Sequence, residues 1–208
     1  MNLQLTDVVK NLLIINVLVF IGTATLMGDG RIALAMFYPF GPNFEPYQLV
    51  THFFMHGSIG HLFFNMLTLF FFGPALESYL GSKNFLIFYF VCAAGAALLH
   101  VGVQYYEYNY MGNMSIPISS AWGASGAIYG ILVGFAMKFP QAKMGLLFIP
   151  IAIPAPIFVT LLIAYDLFAG FGSFNTGIAH FAHLGGALAA FLLIKFWEKN
   201  GNASRWQN

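Results

Sequence analysis

Six long apolar runs separated by short polar breaks organise the chain, over residues 8–27, 59–78, 84–106, 118–138, 146–170 and 176–197. Each approaches or exceeds the about 20 residues a helix needs to cross a bilayer. The breaks carry turn chemistry. Gly28-Asp29-Gly30 ends the first run, Gly81-Ser82-Lys83 divides the second from the third, and Pro140 to Lys143 divides the fourth from the fifth. The first run is too long for a signal-peptide core, and no small-x-small cleavage site follows it. The connection at 28–58 is too apolar for a solvated linker, with Pro39, Pro42 and Pro46 set among Phe37, Tyr38, Phe40 and Phe44. It is expected as short helices in the membrane interface. With no soluble segment appended and no long repeat, the pattern predicts an all-α polytopic membrane protein, a single domain over 1–208 with six transmembrane helices.

Composition agrees. Of 208 residues, 59% are hydrophobic and 7% charged, with a mean hydropathy of +0.76. A soluble domain carries roughly 25% charged residues, so this chain could not solvate a surface in water. A net charge of +1 gives no signal for a nucleic-acid partner. The single cysteine, Cys92, excludes an internal disulfide and a multi-cysteine metal site. Basic residues then orient the spans. With the N-terminus inside, Lys10, Lys83, Lys138, Lys143, Lys195, Lys199 and Arg205 all lie on the cytoplasmic side and only Arg31 lies outside. Both termini are therefore expected in the cytoplasm, and a bacterial inner membrane is the expected location.

Polar side chains within such spans are costly and mark functional candidates. Three clusters stand out: His56, His61 and Asn65 at the entry to the second span; Trp122 to Tyr129, containing Ser125, in the fourth; and His180, His183, Gly185 and Gly186 in the sixth. All three spans run from outside to inside, and each cluster lies in the first part of its span. At about 1.5 Å per residue, Ser125 and His183 each lie roughly 10 Å below the outer start of their spans, and His61 and Asn65 fall within about one turn of that level. Small residues at Gly126, Gly130 and Gly134, and at Ala182, Gly186 and Ala190, allow spans four and six to approach closely. The pattern predicts that they bring hydroxyl to imidazole.

A serine beside a histidine is a minimal activated nucleophile: the ring takes the hydroxyl proton and the oxygen attacks a carbonyl. The resulting oxyanion needs donors. Asn65 and His61, four residues apart on one helix face, offer an amide and a ring N–H, and the Ser125 backbone N–H offers a third. Tyr129, one turn below Ser125, is placed to pack on the His183 ring. No acidic residue is placed by sequence spacing to complete a triad, so the prediction is a dyad.

At these residues a resemblance appears. Gly123-Ala124-Ser125-Gly126 is similar to the G-x-S-G motif of the rhomboid intramembrane serine proteases. His56, His61 and Asn65 resemble that family's H-x4-H-x3-N pattern, Ala182-His183-Leu184-Gly185-Gly186 its A-H-x-G-G, and Glu45 to Thr51 its approach to the second helix. The resemblance implies a rhomboid-like bundle with a water-filled cavity open to the outside. It implies cleavage of transmembrane protein substrates near their outer boundary, without a cofactor. By that likeness Ser125 is the nucleophile and His183 the base. His61, Asn65 and the Ser125 amide form the oxyanion hole, and His56 supports them. Many members carry a Trp-Arg pair in the first loop, whereas no Trp lies between residues 28 and 58 here.

Other readings compete. Ser125 alone reads as a small packing residue bonded to the carbonyl one turn back, and His183 alone as a ring bonded across helices; their shared depth displaces both. His180 reads as structural or cavity-lining, His52 and His100 as interfacial, and Asp166 as a polar contact or a water-facing group near the outer end of span five. His56, His61, His180 and His183 are zinc-type ligands, but no H-E-x-x-H or comparable spacing is present. Asn113 to Ser115 matches a glycosylation sequon. The alternative functions are a catalytically inactive rhomboid-like client-binding protein, whose relatives typically lack the serine or the histidine, and a histidine-relay channel, which would leave the Gly123–Gly126 motif unexplained.

Overall fold

The computed structural model describes residues 4–145, 152–171 and 179–200. Among them seven α-helices carry the architecture: α1 (Asp7–Gly22), α2 (Gln48–Thr51), α3 (Ile59–Leu80), α4 (Ser82–Tyr110), α5 (Ser125–Lys138), α6 (Ala155–Phe171) and α7 (His180–Lys199). Two small antiparallel ribbons, absent from the all-α expectation, pair β1 (Met36–Phe37) with β2 (Ser120–Ala121) and β3 (Lys143–Gly145) with β4 (Ala152–Pro154). Four helices are long and apolar enough to cross a membrane: α3, α4, α7, and α1 prolonged through Met27 by a π-helical turn. Helices α5 and α6 are apolar but shorter, at 14 and 17 residues. Leu18, Phe64, Leu98, Leu161, Phe168 and Leu188 stand exposed along these helices. Apolar surface on this scale belongs against lipid, and the chain is an integral membrane protein.

Three expected span boundaries move. In the run expected to span over 118–138, helix α5 begins at Ser125 rather than 118. Ile116–Ile118 form a 3-10 turn, Ser120 and Ala121 pair with β1, and Gly123 adopts φ +132°, which an α-helix does not contain. Their apolar character serves ribbon and loop packing instead. The fifth begins at Ala155, after the β3–β4 ribbon; residues 146–151 of the expected span lie outside the described residues. The sixth begins at His180, and residues 176–178 and Arg205 also lie outside them. At the first three spans the helices follow the expectation closely. Ser58 caps α3 by accepting from the His61 N–H at 3.1 Å, and Gly81, at φ +78°, separates α3 from α4.

Helix α7 packs against α4, α5 and α6. A methyl at Gly186 would lie 1.9 Å from the Gly126 carbonyl oxygen, and one at Gly126 would lie 2.2 Å from Ala96 Cβ. The predicted approach of the fourth and sixth spans is therefore present, with α4 as a third partner that the small-residue pattern did not reveal. At the opposite end of α5, Lys138 Nζ meets Glu198 Oε1 at 2.7 Å and ties α5 to the end of α7. A second polar tie joins α1, α3 and α4. Buried Glu77 accepts from Thr6 Oγ1 at 2.5 Å, from the Val8 and Val9 N–H groups at 3.1 and 2.9 Å, and from Ser82 Oγ at 2.6 Å. These backbone groups are the unpaired donors of the first turn of α1, so Glu77 caps that helix from another element.

Candidate active site

The approach to α3 is held by one buried side chain. Gln48 Oε1 accepts from the N–H groups of Phe37 and Glu45, and Nε2 donates to the carbonyls of Ala33 and Asn43, at 3.1–3.3 Å. Short helical segments, Gly28–Leu34, α2 and His52–Phe54, make up much of this loop, as its composition predicts. The loop then fixes the segment before Ser125. β1 pairs with β2, and the His52 carbonyl accepts from the Gly123 N–H at 2.9 Å.

Gly123 is required twice over. Its φ of +132° suits glycine alone, and a methyl there would sit 2.8 Å from His61 Cε1 and 3.6 Å from Ser125 Oγ. The His61 ring therefore borders the Ser125 hydroxyl through this glycine. Ser125 is the first residue of α5, not a residue one turn or more inside it, which corrects the depth expected from a span starting at 118. The correction matters chemically. The first backbone bond closing onto this helix is Ile128 N–H to Ala124 O, so the N–H groups of Ser125, Gly126 and Ala127 precede the hydrogen-bonded ladder. A helix start presents partial positive charge where an oxyanion would form.

His183 likewise lies in the first turn of α7, and its Nε2 is 3.0 Å from Ser125 Oγ. Tyr129 stacks on the His183 ring with centroids 4.2 Å apart and planes within 12°, the packing its position one turn below Ser125 predicts. Asn65 is buried on α3, and its Nδ2 has no hydrogen-bond partner among the described residues. An amide donor left open in this way is available to a ligand. His56 lies edge-on to His61, ring centroids 5.1 Å apart. His61, Asn65, Ser125, Tyr129 and His183 all border one open cleft.

Asp166 takes the first of its two expected roles, a polar contact. It does not face water; the residue is 1% exposed, and its carboxylate lies between two rings of α7. Oδ1 is 2.5 Å from His180 Nδ1, and both carboxylate oxygens are 3.3 Å from His183 Nδ1. His180, read as structural or cavity-lining, is thus a partner of the same acid. Sequence reasoning missed this trio because its members lie 14 and 17 residues apart with no helical period linking them. The signal that could have found it is the presence of an acid in an apolar helix at all. Among the described residues, Asp166, His180 and His183 are also a cluster whose donor atoms, within 4.8 Å of one another, suit a metal.

His52 and His56, just before α3, are both buried. Burial lowers both to about 4, so the rings are neutral near pH 7; the nearby His61 ring adds to the effect at His56. His56 Nε2 and, on α4, His100 Nε2 and Gln104 Oε1 lack hydrogen-bond partners among the described residues.

With this geometry in view, known proteins can be compared. The Rhomboid domain matches residues 43–198. The chain is 33% identical over 143 residues to Rhomboid protein 1, mitochondrial, of Saccharomyces cerevisiae, covering 67% of this chain and 38% of that protein. It is 33% identical over 155 residues to the putative rhomboid protease YdcA of Bacillus subtilis, covering 73% and 67%. It is 32% identical over 124 residues to the rhomboid protease GlpG of an Enterobacter species, covering 58% and 39%. The chain thus spans well under half the length of the yeast and Enterobacter relatives. The matched domain runs from the loop before α3 through almost all of α7 and contains every residue of the cleft described above, and the chain belongs to the rhomboid family.

Proposed function

We propose that this protein is a serine endopeptidase that hydrolyses peptide bonds in or near transmembrane segments of other membrane proteins. The observation that carries the reading is the 3.0 Å approach of His183 Nε2 to Ser125 Oγ, between two helix starts and beside open donors. Ser125 Oγ attacks the scissile carbonyl carbon while its proton passes to His183 Nε2. The carbonyl oxygen becomes an oxyanion, held by the Ser125 N–H, the Asn65 amide and the His61 ring. Collapse breaks the C–N bond, and His183 returns the proton to the leaving amine. Water then attacks the acyl-enzyme by the same steps and frees Ser125. Gly123, Tyr129 and His56 support this set: Gly123 leaves room for His61, Tyr129 holds the plane of the His183 ring, and His56 packs against His61.

The positive-inside distribution supports cytoplasmic termini and a cleft opening outward. Relatives from bacteria and mitochondria make either membrane a fitting location. A substrate helix must be unwound before attack, because its carbonyls are bonded within the helix. Glycine and proline, weaker than alanine by about 1 and 3 kcal/mol in a helix interior, ease this step. The test moves a Gly-Pro pair along a model transmembrane substrate and maps products by mass spectrometry. Cleavage that tracks the pair on the outer side, and vanishes with Ser125→Ala, is expected. Cleavage unchanged in Ser125→Ala refutes the reading, and a wild type that does not cleave leaves the inactive client-binding alternative.

A further inference from the structure

Given the protease reading of this site, we propose that Asp166 is the residue that positions His183 for proton transfer, so that Ser125, His183 and Asp166 work as one relay with His180 as the second anchor of the acid. The argument begins with donor and acceptor roles. An ionised carboxylate only accepts hydrogen bonds. Asp166 faces Nδ1 of His183 at 3.3 Å and Nδ1 of His180 at 2.5 Å, so each Nδ1 carries the proton it donates. The proton of the neutral His183 ring is then on Nδ1, and Nε2 presents its lone pair to Ser125 Oγ, 3.0 Å away. That is the tautomer a general base requires, and the opposite one could not accept the serine proton.

The ring is fixed in orientation as well as tautomer. Tyr129 covers one face of the ring, centroids 4.2 Å apart. When His183 takes the serine proton, the imidazolium forms beside this buried carboxylate, so the charge that appears during reaction already has its partner. His180, one turn from His183 on the same face of α7, holds the carboxylate from its other side. An ionisable group in an apolar helix is costly, and helix packing alone calls for none. Two histidines converging on one acid, one of them also in contact with Ser125, account for its presence. Because Asp166 acts through His183, it is a positioning residue.

The tautomer is measured directly on wild-type protein labelled with 15N-histidine and reconstituted in bilayers. His183 is expected to carry its proton on Nδ1 and none on Nε2 while neutral. A proton on Nε2 overturns the proposal. In parallel, Asp166→Asn is expected to lower kcat by up to about 10⁴-fold, the loss seen when the acid of a Ser-His-Asp triad becomes its amide. KM should stay within about two-fold, and Asp166→Glu should recover part of the rate. An Asp166→Asn protein that keeps its fold and wild-type kcat, or that loses only KM, overturns the proposal. Should Asp166→Asn fail to fold, the tautomer measurement decides alone. A wild type that neither cleaves nor reacts with a phosphonate sinks the protease reading, and the tautomer still decides what Asp166 does to His183.

Discussion

Two buried polar regions of this protein are built from similar side chains and finished differently. At Glu77 a buried acid receives four donors, from Thr6, Val8, Val9 and Ser82, and locks α1 to the α3–α4 corner. Around Ser125 the polar groups are also buried, yet Asn65 Nδ2, His56 Nε2, His100 Nε2 and Gln104 Oε1 lack partners among the described residues. A buried polar atom without a partner costs about 1–3 kcal/mol. Asn16 Oδ1 on α1 and Tyr89 Oη on α4 are open too, so an open atom alone does not mark a site; what sets Asn65 apart is that it also borders the cleft beside Ser125. The contrast separates a polar cluster that serves stability from one that serves a ligand, a distinction residue type alone does not make. Asp166 stands between the two: like Glu77 it is a buried acid held by partners on another helix, but one of those partners also touches Ser125.

The contrast can be broken by substitutions whose effects divide between rate and stability. Ser125→Ala and His183→Ala should each lower kcat on the order of 10⁴-fold or more in a reconstituted cleavage assay, and the double variant should lose little further, because the two groups act as a unit. Independent, additive losses would separate them. Asn65→Ala should lower kcat on the order of 10²–10³-fold with little change in KM, as loss of an oxyanion donor does. A pure KM effect would move Asn65 to substrate binding. Glu77→Ala should do the reverse. It strands buried donors at about 1–3 kcal/mol each, so Tm should fall sharply while kcat of the folded fraction is kept. A rate loss without a stability loss would erase the distinction.

The smallest effect is in pH. Burial lowers His52 and His56 from 6.5 to about 4. Above pH 6.5 both folded and unfolded chains hold these rings neutral, and they add no slope. As pH falls from 6.5 towards 4, the unfolded chain binds protons that the folded chain refuses, so stability declines through that window. Thermal melts of wild type and His56→Gln between pH 7.5 and about 4.5 should show a shallower decline in the variant. Identical slopes would mean that His56 is not held neutral by the fold.

Most of the site is legible in the sequence where chemistry is local. Ser125, His61, Asn65 and His183 announce themselves as polar residues in apolar runs, and Tyr129 follows from one helical turn. The boundary of α5 is not legible, because Ile116, Ile118 and Trp122 are as apolar as the helix they precede. Only the pairing of Ser120 and Ala121 with a strand more than 80 residues earlier, and the positive φ of Gly123, show that the chain is not yet helical. The same holds for the polar hubs. Gln48, Glu77 and Asp166 look like isolated polar residues, and their meaning comes from partners on other elements. Small-residue spacing identifies which faces approach closely, as Gly126 and Gly186 do, but does not reveal that α4 joins them through Ala96.

The central claim, that Ser125 is activated by His183, is tested most directly by the rate at which a fluorophosphonate modifies the protein in bilayers, with the adduct located by mass spectrometry. The account predicts a single adduct on Ser125 in the wild type, none in Ser125→Ala, and labelling slowed at least about 10²-fold in His183→Ala, where the hydroxyl remains but its base is gone. An adduct elsewhere, or equal labelling of Ser125 in wild type and His183→Ala, would contradict it.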